Sequence, residues 1–327
     1  ATMLNIFSGG TSLQDPKFIK TVLNGKSVGV QPLLNYSDEY TTNIYDLNEN
    51  FVEMCKMINF LDNNRSSNGK CGGAILRATG LVSWKEMKQF KYNIEQLDIE
   101  RIENICNLGV EKNVPIVWDA ETIDVEDVIH KLSINQMIKH NRKHFNMYAT
   151  IQCYRKDTIP RLEYLIQLSR SEKFKLGIKL VRGAYLHNEE EAGNRHLLHD
   201  SKEKCNKDYN TAVKLCIENI DNVSVMVASH NPQTQLLLIK EIYINKLKYK
   251  HDNIISAQML GMRNDITFNI NDRVNTMQFI PYGNPDIIFP YLVRRGIENS
   301  TALSGAADEV KLIDEELEKR KINNIYV

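Results

Sequence analysis

The sequence predicts an α/β fold, a closed TIM-like (β/α)8 barrel whose last helix packs over the C-terminal mouth. Two observations carry this. Eight short β-rich runs recur along the chain with longer helical patterns between them, and no Gly-rich nucleotide fingerprint opens any of those helices, which favours a closed barrel over a doubly wound sheet. The length of 327 residues exceeds the ~250 at which single cores usually stop growing, but α/β barrels reach it as one domain.

The runs begin near Val28 (VGVQPLL), Gly72 (GGAILRAT), Val114 (VPIVWDA), Tyr148 (YATIQCY), Leu176 (LGIKLVR), Ser224 (SVMVAS), Ile254 (IISAQML) and Thr276 (TMQFIPY). They are continuous apolar runs, as expected of parallel strands covered on both faces. Between them, 46–61 carries Leu47, Phe51, Met54, Cys55, Ile58 and Leu61 on one helical stripe. Segments 124–140, 158–171, 206–220 and 232–244 read similarly, and 85–108 has room for two helices. The seventh connection, 263–275, is short and polar. No repeat or linker divides the chain. Residues 1–27 read as a lead-in, and 28–327 as a single domain that ends in a charged helix at 308–321 with a solvated face.

Lys plus Arg number 41 and Asp plus Glu 41, so no net field draws the chain to nucleic acid or an anionic membrane. No apolar run approaches the ~20 residues that span a bilayer. The six cysteines show no C-x-x-C pair and no zinc spacing, so no metal site is expected and reduced structural thiols in an intracellular compartment are the simplest reading. The opening Ala1-Thr2-Met3 shows no targeting pattern.

In a barrel, chemistry gathers where strands end. Here Arg77 closes the second run, Asp119 the third and Gln152 the fourth. The fifth contains Lys179 and runs into Arg182-Gly183-Ala184-Tyr185. Ser229-His230-Asn231 ends the sixth, Gln258 lies in the seventh and Tyr282-Gly283 ends the eighth. Taken singly, Asp119 could cap the next helix, His230 could be a satisfied core histidine, and Gln152 could face a buried carbonyl. Lys179 is different, because an ammonium between Ile178 and Leu180 is costly to bury unpaired.

The sharpest pattern lies in Pro290-Tyr-Leu-Val-Arg-Arg-Gly-Ile-Glu-Asn299. Tyr291, Arg294, Arg295 and Glu298 fall at i, i+3, i+4 and i+7, on one helix face. Glu298 can hold one guanidinium, and the other is left to fork onto a carboxylate or phosphate. The alternative is an exposed basic patch with a helix salt bridge. Placement directly after the eighth strand favours ligand binding.

KLVRGAYL at 179–186, ASHN at 228–231, AQMLGM at 257–262, IPYG at 280–283 and PYLVRRGIEN at 290–299, with WDAE at 118–121 and Gln152, stand in this order on the expected strands. From Val28 to Asn299 the chain resembles the proline dehydrogenase family. The resemblance implies FAD over the C-terminal mouth, and oxidation of L-proline to Δ1-pyrroline-5-carboxylate by hydride transfer from C5 to flavin N5. It also implies a quinone as electron acceptor, peripheral membrane association, and a mitochondrial setting on the matrix side of the inner membrane. By the same resemblance, Arg294 and Arg295 would grip the substrate carboxylate, Glu298 would orient them, and Tyr185 and Tyr291 would pack the pyrrolidine ring. Asp119 would position the basic cluster beneath the flavin. Lys179 would stand near N5 and Gln152 at the pyrimidine edge. Arg182, His230 and Gln258, with Gly183 and Asn231 beside them, would line the rest of the cofactor path.

Two positions depart from the family pattern. Arg77 stands where a substrate-pocket lysine is usual, and Phe279 where a tyrosine is usual. The missing hydroxyl leaves a hydroxyproline or other cyclic imino acid dehydrogenase as an alternative. Both departures together leave a weakly active flavin-binding barrel. A Schiff-base aldolase using Lys179 is a further reading from a different chemistry.

Overall fold

Eight parallel strands pair in chain order: β1 (Gln31–Tyr36), β2 (Gly73–Leu76), β3 (Ile116–Trp118), β4 (Met147–Gln152), β5 (Leu176–Val181), β6 (Val223–Ala228), β7 (Ile254–Met259) and β8 (Asn275–Tyr282). β8 pairs back onto β1, with Leu33 beside Phe279 and Tyr36 beside Tyr282, and the barrel closes. The structure is a computed structural model describing residues 6–36, 38–90 and 93–298, with backbone alone at Pro290 and 294–298. The helix expected at 308–321 lies outside the described residues.

The connections are helical. α1 (Pro16–Ser27) precedes β1, α2 (Ile44–Asn63) follows it, and α3 (Trp84–Gln89) and α4 (Glu100–Glu111) follow β2. Then come α5 (Ile123–His140), α6 (Thr158–Ser171), α7 (Leu186–Glu191), α8 (Lys202–Glu218), α9 (Pro232–Ile244), α10 (Asn264–Asn269) and α11 (Pro285–Glu298). The expected (β/α)8 order holds, and the stretch expected to have room for two helices carries α3 and α4, the second running on to Glu111. Three boundaries differ. β1 starts at Gln31 because Val28 and Gly29 still bond back to Gly25 and Lys26 at the end of α1. α8 starts four residues early, capped by the Ser201 hydroxyl, which accepts from the Lys204 amide. α7 is a separate short helix ahead of it.

Alternation along the strands sorts side chains into two cores. Leu33, Ile75, Val117, Tyr148, Met226 and Ile255 fill the barrel interior. Their neighbours Leu34, Ala74, Leu76, Ile116, Trp118, Ile178 and Leu180 belong to the larger outer core beneath the helices. In β5 the residue between two outer-core side chains is Lys179, which therefore belongs to the interior face. Gly177, two residues earlier on that face, leaves room for the Tyr148 ring, whose Cγ would stand 2.9 Å from an added Cβ. The lead-in joins the same structure: Gly9 N–H donates to Pro281 O (2.9 Å), and Phe18 and Val22 of α1 pack into the outer core.

Two side chains tie elements that are distant in sequence. Asn141, fully buried at the end of α5, donates to Met147 O (2.8 Å) and Lys175 O (2.9 Å) and accepts from the Asn146 and Met147 amides. His230 accepts the Met259 amide at Nε2 (2.9 Å), joining the ends of β6 and β7. Burial, with Arg263 and Arg182 nearby, lowers the His230 pKa to about 4.

Asn141→Ala strands two buried carbonyls and two amides, so we expect a loss of roughly 2–4 kcal/mol in urea unfolding; a loss below about 1 kcal/mol contradicts this account of the α5 terminus. For His230 the folded pKa lies below the unfolded value of about 6.5. Its stabilisation is therefore complete above that pH and is lost as pH falls through about 4. Between pH 7 and 4, the wild-type advantage over His230→Gln should shrink by roughly 3 kcal/mol. A constant advantage across that range means the ring does not titrate there.

Candidate active site at the C-terminal mouth

Parallel strands all deliver their C-terminal ends to one mouth, so polar residues at those ends meet although they are far apart in sequence. Asp119, directly after β3, sits between two buried cations. Its Oδ1 accepts from Lys179 Nζ (2.6 Å) and its Oδ2 from Arg77 Nη2 (2.8 Å). Arg77 also donates to Glu39 Oε2 (2.6 Å), to Asn35 Oδ1 (3.3 Å) and to the Tyr185 hydroxyl (3.3 Å). The result is an alternating row, Glu39–Arg77–Asp119–Lys179, with Arg77 and Lys179 only 3% and 4% exposed. Burial works against the Arg77 charge, and Asp119, with Tyr185, Tyr291 and Glu121, more than restores it. Asp119 does not cap the next helix; Thr122 occupies that position.

Aromatic rings roof this row. The Arg77 guanidinium lies 5.2 Å from the Tyr291 ring centre and the Lys179 ammonium 5.7 Å from that of Phe279. Phe279 and Tyr291 stack at 6.4 Å. Tyr291 is buried with Met259, Met262, Ile288 and Leu292 as α11 packs across the ends of β7 and β8. The helical backbone runs through Glu298, so the i, i+3, i+4, i+7 offsets hold. The side chains of Arg294, Arg295 and Glu298 lie outside the described residues.

The remaining expected residues form a second group along β4–β7. Gln152 donates to Glu121 O (2.9 Å). Arg182 fans onto Asn206 (2.6 Å), Ser229 (2.6 Å) and Thr234 (3.0 Å) and lies over the Tyr209 ring. The Gln258 amide is engaged at both ends, donating to Ser229 O (3.1 Å) and Ser256 (2.8 Å) and accepting from Thr267 (3.0 Å). Asn231 caps α9 by accepting the Thr234 amide. Arg182, Gln258 and Asn231 thus shape this wall with bonds made inside the protein. Gly183 has φ +130° and an added Cβ would lie 2.5 Å from the Tyr154 ring, so a side chain there would clash as the chain leaves β5.

Sequence reasoning did not assign Asn35, Glu39 or Glu121. Glu39 lies three residues beyond the end of β1, and its place in a strand-to-helix connection was the available signal. Glu121 is fully buried, accepts the Thr79 amide (3.1 Å) and the Thr79 hydroxyl, and is pushed up in pKa by desolvation. It fixes the turn after β2 that carries Arg77. Among the described residues, no group of His, Cys, Asp and Glu could hold a metal ion, and the six cysteines are unpaired.

The family model described as proline dehydrogenase matches residues 18–307. Proline dehydrogenase 1, mitochondrial, of Caenorhabditis elegans is 32% identical over 235 residues, 68% of this chain and 38% of that protein. The protein of the same name in Dictyostelium discoideum is 31% identical over 252 residues, 73% of this chain and 43% of that one. The chain thus spans about two-fifths of the length of these relatives. Among solved structures, proline utilization A from Bdellovibrio bacteriovorus inactivated by N-propargylglycine superposes with a TM-score of 0.82 at 20% identity, over 91% of this chain and 32% of that one, which speaks for the fold. With the matched model covering the whole barrel and the motifs standing on its strand ends, the chain belongs to the proline dehydrogenase family.

Proposed function

We propose that this chain is the catalytic barrel of a proline dehydrogenase that binds FAD over its C-terminal mouth. It oxidises L-proline to Δ1-pyrroline-5-carboxylate and passes the electrons to a quinone, in mitochondria on the matrix side of the inner membrane. Residues 28–327 form the flavin-binding domain and 1–27 its lead-in. The observation that carries this reading is the buried Arg77–Asp119–Lys179 row under the Phe279–Tyr291 roof.

The residues present fit a flavin. A planar electron acceptor needs a cation near the atom that gains charge, polar partners along its edge and a flat apolar neighbour. The mouth offers Lys179, Gln152 and Phe279 in those capacities. Bound there, the flavin supplies the hydride acceptor. Asp119 holds Lys179 and Arg77 apart and charged, so that a fixed positive field faces the mouth without reorganisation during reaction. Tyr291 and Tyr185 give apolar walls to a five-membered ring. Arg294 and Arg295, with Glu298 to orient them, grip the carboxylate and present C5 to the acceptor, the positional gain that matters most for a two-electron transfer. With flavin bound, its ring would take the hydride from C5 while the amine proton passes to solvent, leaving the C=N bond of the product. Gly183, His230, Asn231, Arg182 and Gln258 shape the path for the remainder of the cofactor.

Phe279 supports a second reading, a cyclic imino acid other than proline as substrate. Its ring stacks on Tyr291 and offers no hydroxyl at that place.

The purified protein supplied with FAD should show flavin absorption bands that L-proline bleaches anaerobically, and more slowly with trans-4-hydroxyproline. Failure to take up flavin sinks the proposal, and faster bleaching by hydroxyproline transfers it to the second reading. Asp119→Asn leaves two buried cations without their carboxylate. It should lower the rate of flavin reduction at least about tenfold and cost roughly 3 kcal/mol of stability. A wild-type reduction rate in stopped flow would remove Asp119 from its assigned role.

A further inference from the structure

Arg182, directly after β5, is held at the mouth by neutral groups alone. Nε donates to Asn206 Oδ1 (2.6 Å), Nη1 to the Ser229 hydroxyl (2.6 Å) and Nη2 to the Thr234 hydroxyl (3.0 Å). Its Cζ lies 4.3 Å from the centre of the Tyr209 ring. Among the described residues no carboxylate makes an ion pair with it. Asp208, one position before Tyr209, is turned to His199 instead (2.9 Å). The guanidiniums that follow β2 and β4 behave differently: Arg77 meets Glu39 and Asp119, and Arg155 meets Glu126 and Asp157.

One turn of α8 builds this seat. Asn206, Tyr209 and Asn210 stand at i, i+3 and i+4 and share a helix face. Asn206 accepts from Arg182 directly. Asn210 Oδ1 accepts the proton of the Thr234 hydroxyl (3.0 Å), which turns that oxygen's lone pairs toward Arg182. Tyr209 is fully buried and shares its hydroxyl proton between Leu180 O (2.9 Å) and Ala228 O (3.1 Å), in β5 and β6. The ring is thereby locked against both strands with a face to the guanidinium, and its quadrupole stabilises the cation without neutralising it. A guanidinium has five N–H donors. Three are spent here, so two remain together with the whole charge.

We infer that the Asn206–Tyr209–Asn210 turn of α8 is the positioning element for Arg182, fixing the guanidinium with neutral groups so that its charge is kept for the anionic cofactor. A carboxylate at 206 would fix the same direction and cancel the charge; asparagine, its isostere, supplies direction alone. The cost falls on the empty protein, which holds a half-buried cation without a counter-charge, and an anion arriving at the mouth offsets it. All three are positioning residues, since they act through Arg182. The inference rests on the reading that FAD binds at the mouth. A seat that served only to tie α8 to the barrel would improve with any stronger bond to Arg182, whereas a seat that serves the cofactor would not.

The test measures two quantities on the whole chain: thermal unfolding without cofactor, and FAD affinity from quenching of flavin fluorescence. Asn206→Asp should raise the unfolding midpoint of the apoprotein and weaken FAD at least about tenfold, changes of opposite sign. Tyr209→Phe keeps the ring beneath the cation and should bind FAD within about threefold of the parent, while Tyr209→Leu should lose about tenfold. Parental FAD affinity in Asn206→Asp, or equal losses in Tyr209→Phe and Tyr209→Leu, overturns the inference. Should Tyr209→Leu fail to fold, Asn206→Asp, at a half-buried helix position, decides alone. A parent that takes up no FAD removes the flavin reading and this inference with it; a parent that binds FAD beside an unweakened Asn206→Asp removes this inference only.

Discussion

The mouth of this barrel depends on one carboxylate. Arg77 and Lys179 approach each other from β2 and β5, and two buried cations so close would repel and lose charge if nothing anionic stood between them. Asp119 stands there, one oxygen on each. With its charge secured, Arg77 can serve as a hub, donating to Asn35 and Glu39 beside β1 and to Tyr185 after β5 while presenting its face to Tyr291 of α11. Four parts of the fold that are distant in sequence are thereby held to one guanidinium.

Such a row is tolerable because the barrel separates its interior into levels. The lower interior is filled by Leu33, Ile75, Val117, Tyr148, Met226 and Ile255, which exclude water from beneath the ion pairs. The outer core then locks the strands, so Asp119 cannot swing away to solvent. Low dielectric strengthens the pairing and equally raises the cost of any unpaired member. Alternating signs along Glu39–Arg77–Asp119–Lys179 are one way to satisfy both conditions. Glu121 shows the opposite case: without a full positive partner of its own, it is held by the Thr79 amide and hydroxyl, and its pKa rises.

Much of this was legible before any coordinates. The eight strands announced themselves as apolar runs because both faces of a barrel strand are covered. Lys179 was conspicuous because a lysine between Ile178 and Leu180 needs a partner, and Asp119 supplies it. What stayed hidden was pairing across the mouth. Nothing local to Glu39 says that Arg77, 38 positions away, will reach it. The start of α8 was hidden for another reason: Lys202, Glu203 and Lys204 carry no apolar periodicity, and the Ser201 cap that begins the helix is a common polar residue. The fan of Arg182 onto Asn206, Ser229 and Thr234 was likewise invisible, since its acceptors come from α8, the β6 terminus and α9.

Charge shows most clearly what a summed composition conceals. Equal numbers of acidic and basic residues argue against any net field, and at the mouth that balance holds locally, with five Lys and Arg against five Asp and Glu in the strand-to-helix connections. There the key charges are buried and paired, so their field is spent within a few ångströms on orienting side chains. At the opposite end most of the lysines are exposed, and among the described residues Lys246 and Lys250 have no carboxylate partner, so their field extends into solvent to the screening length, about 8 Å at physiological salt. Paired buried charge gives geometry, and unpaired exposed charge gives attraction at a distance. The barrel places the first at the mouth and the second at its base, joined by α9, whose first turn borders the candidate cofactor path and whose last turn carries Tyr243 and Ile244 into the basic loop.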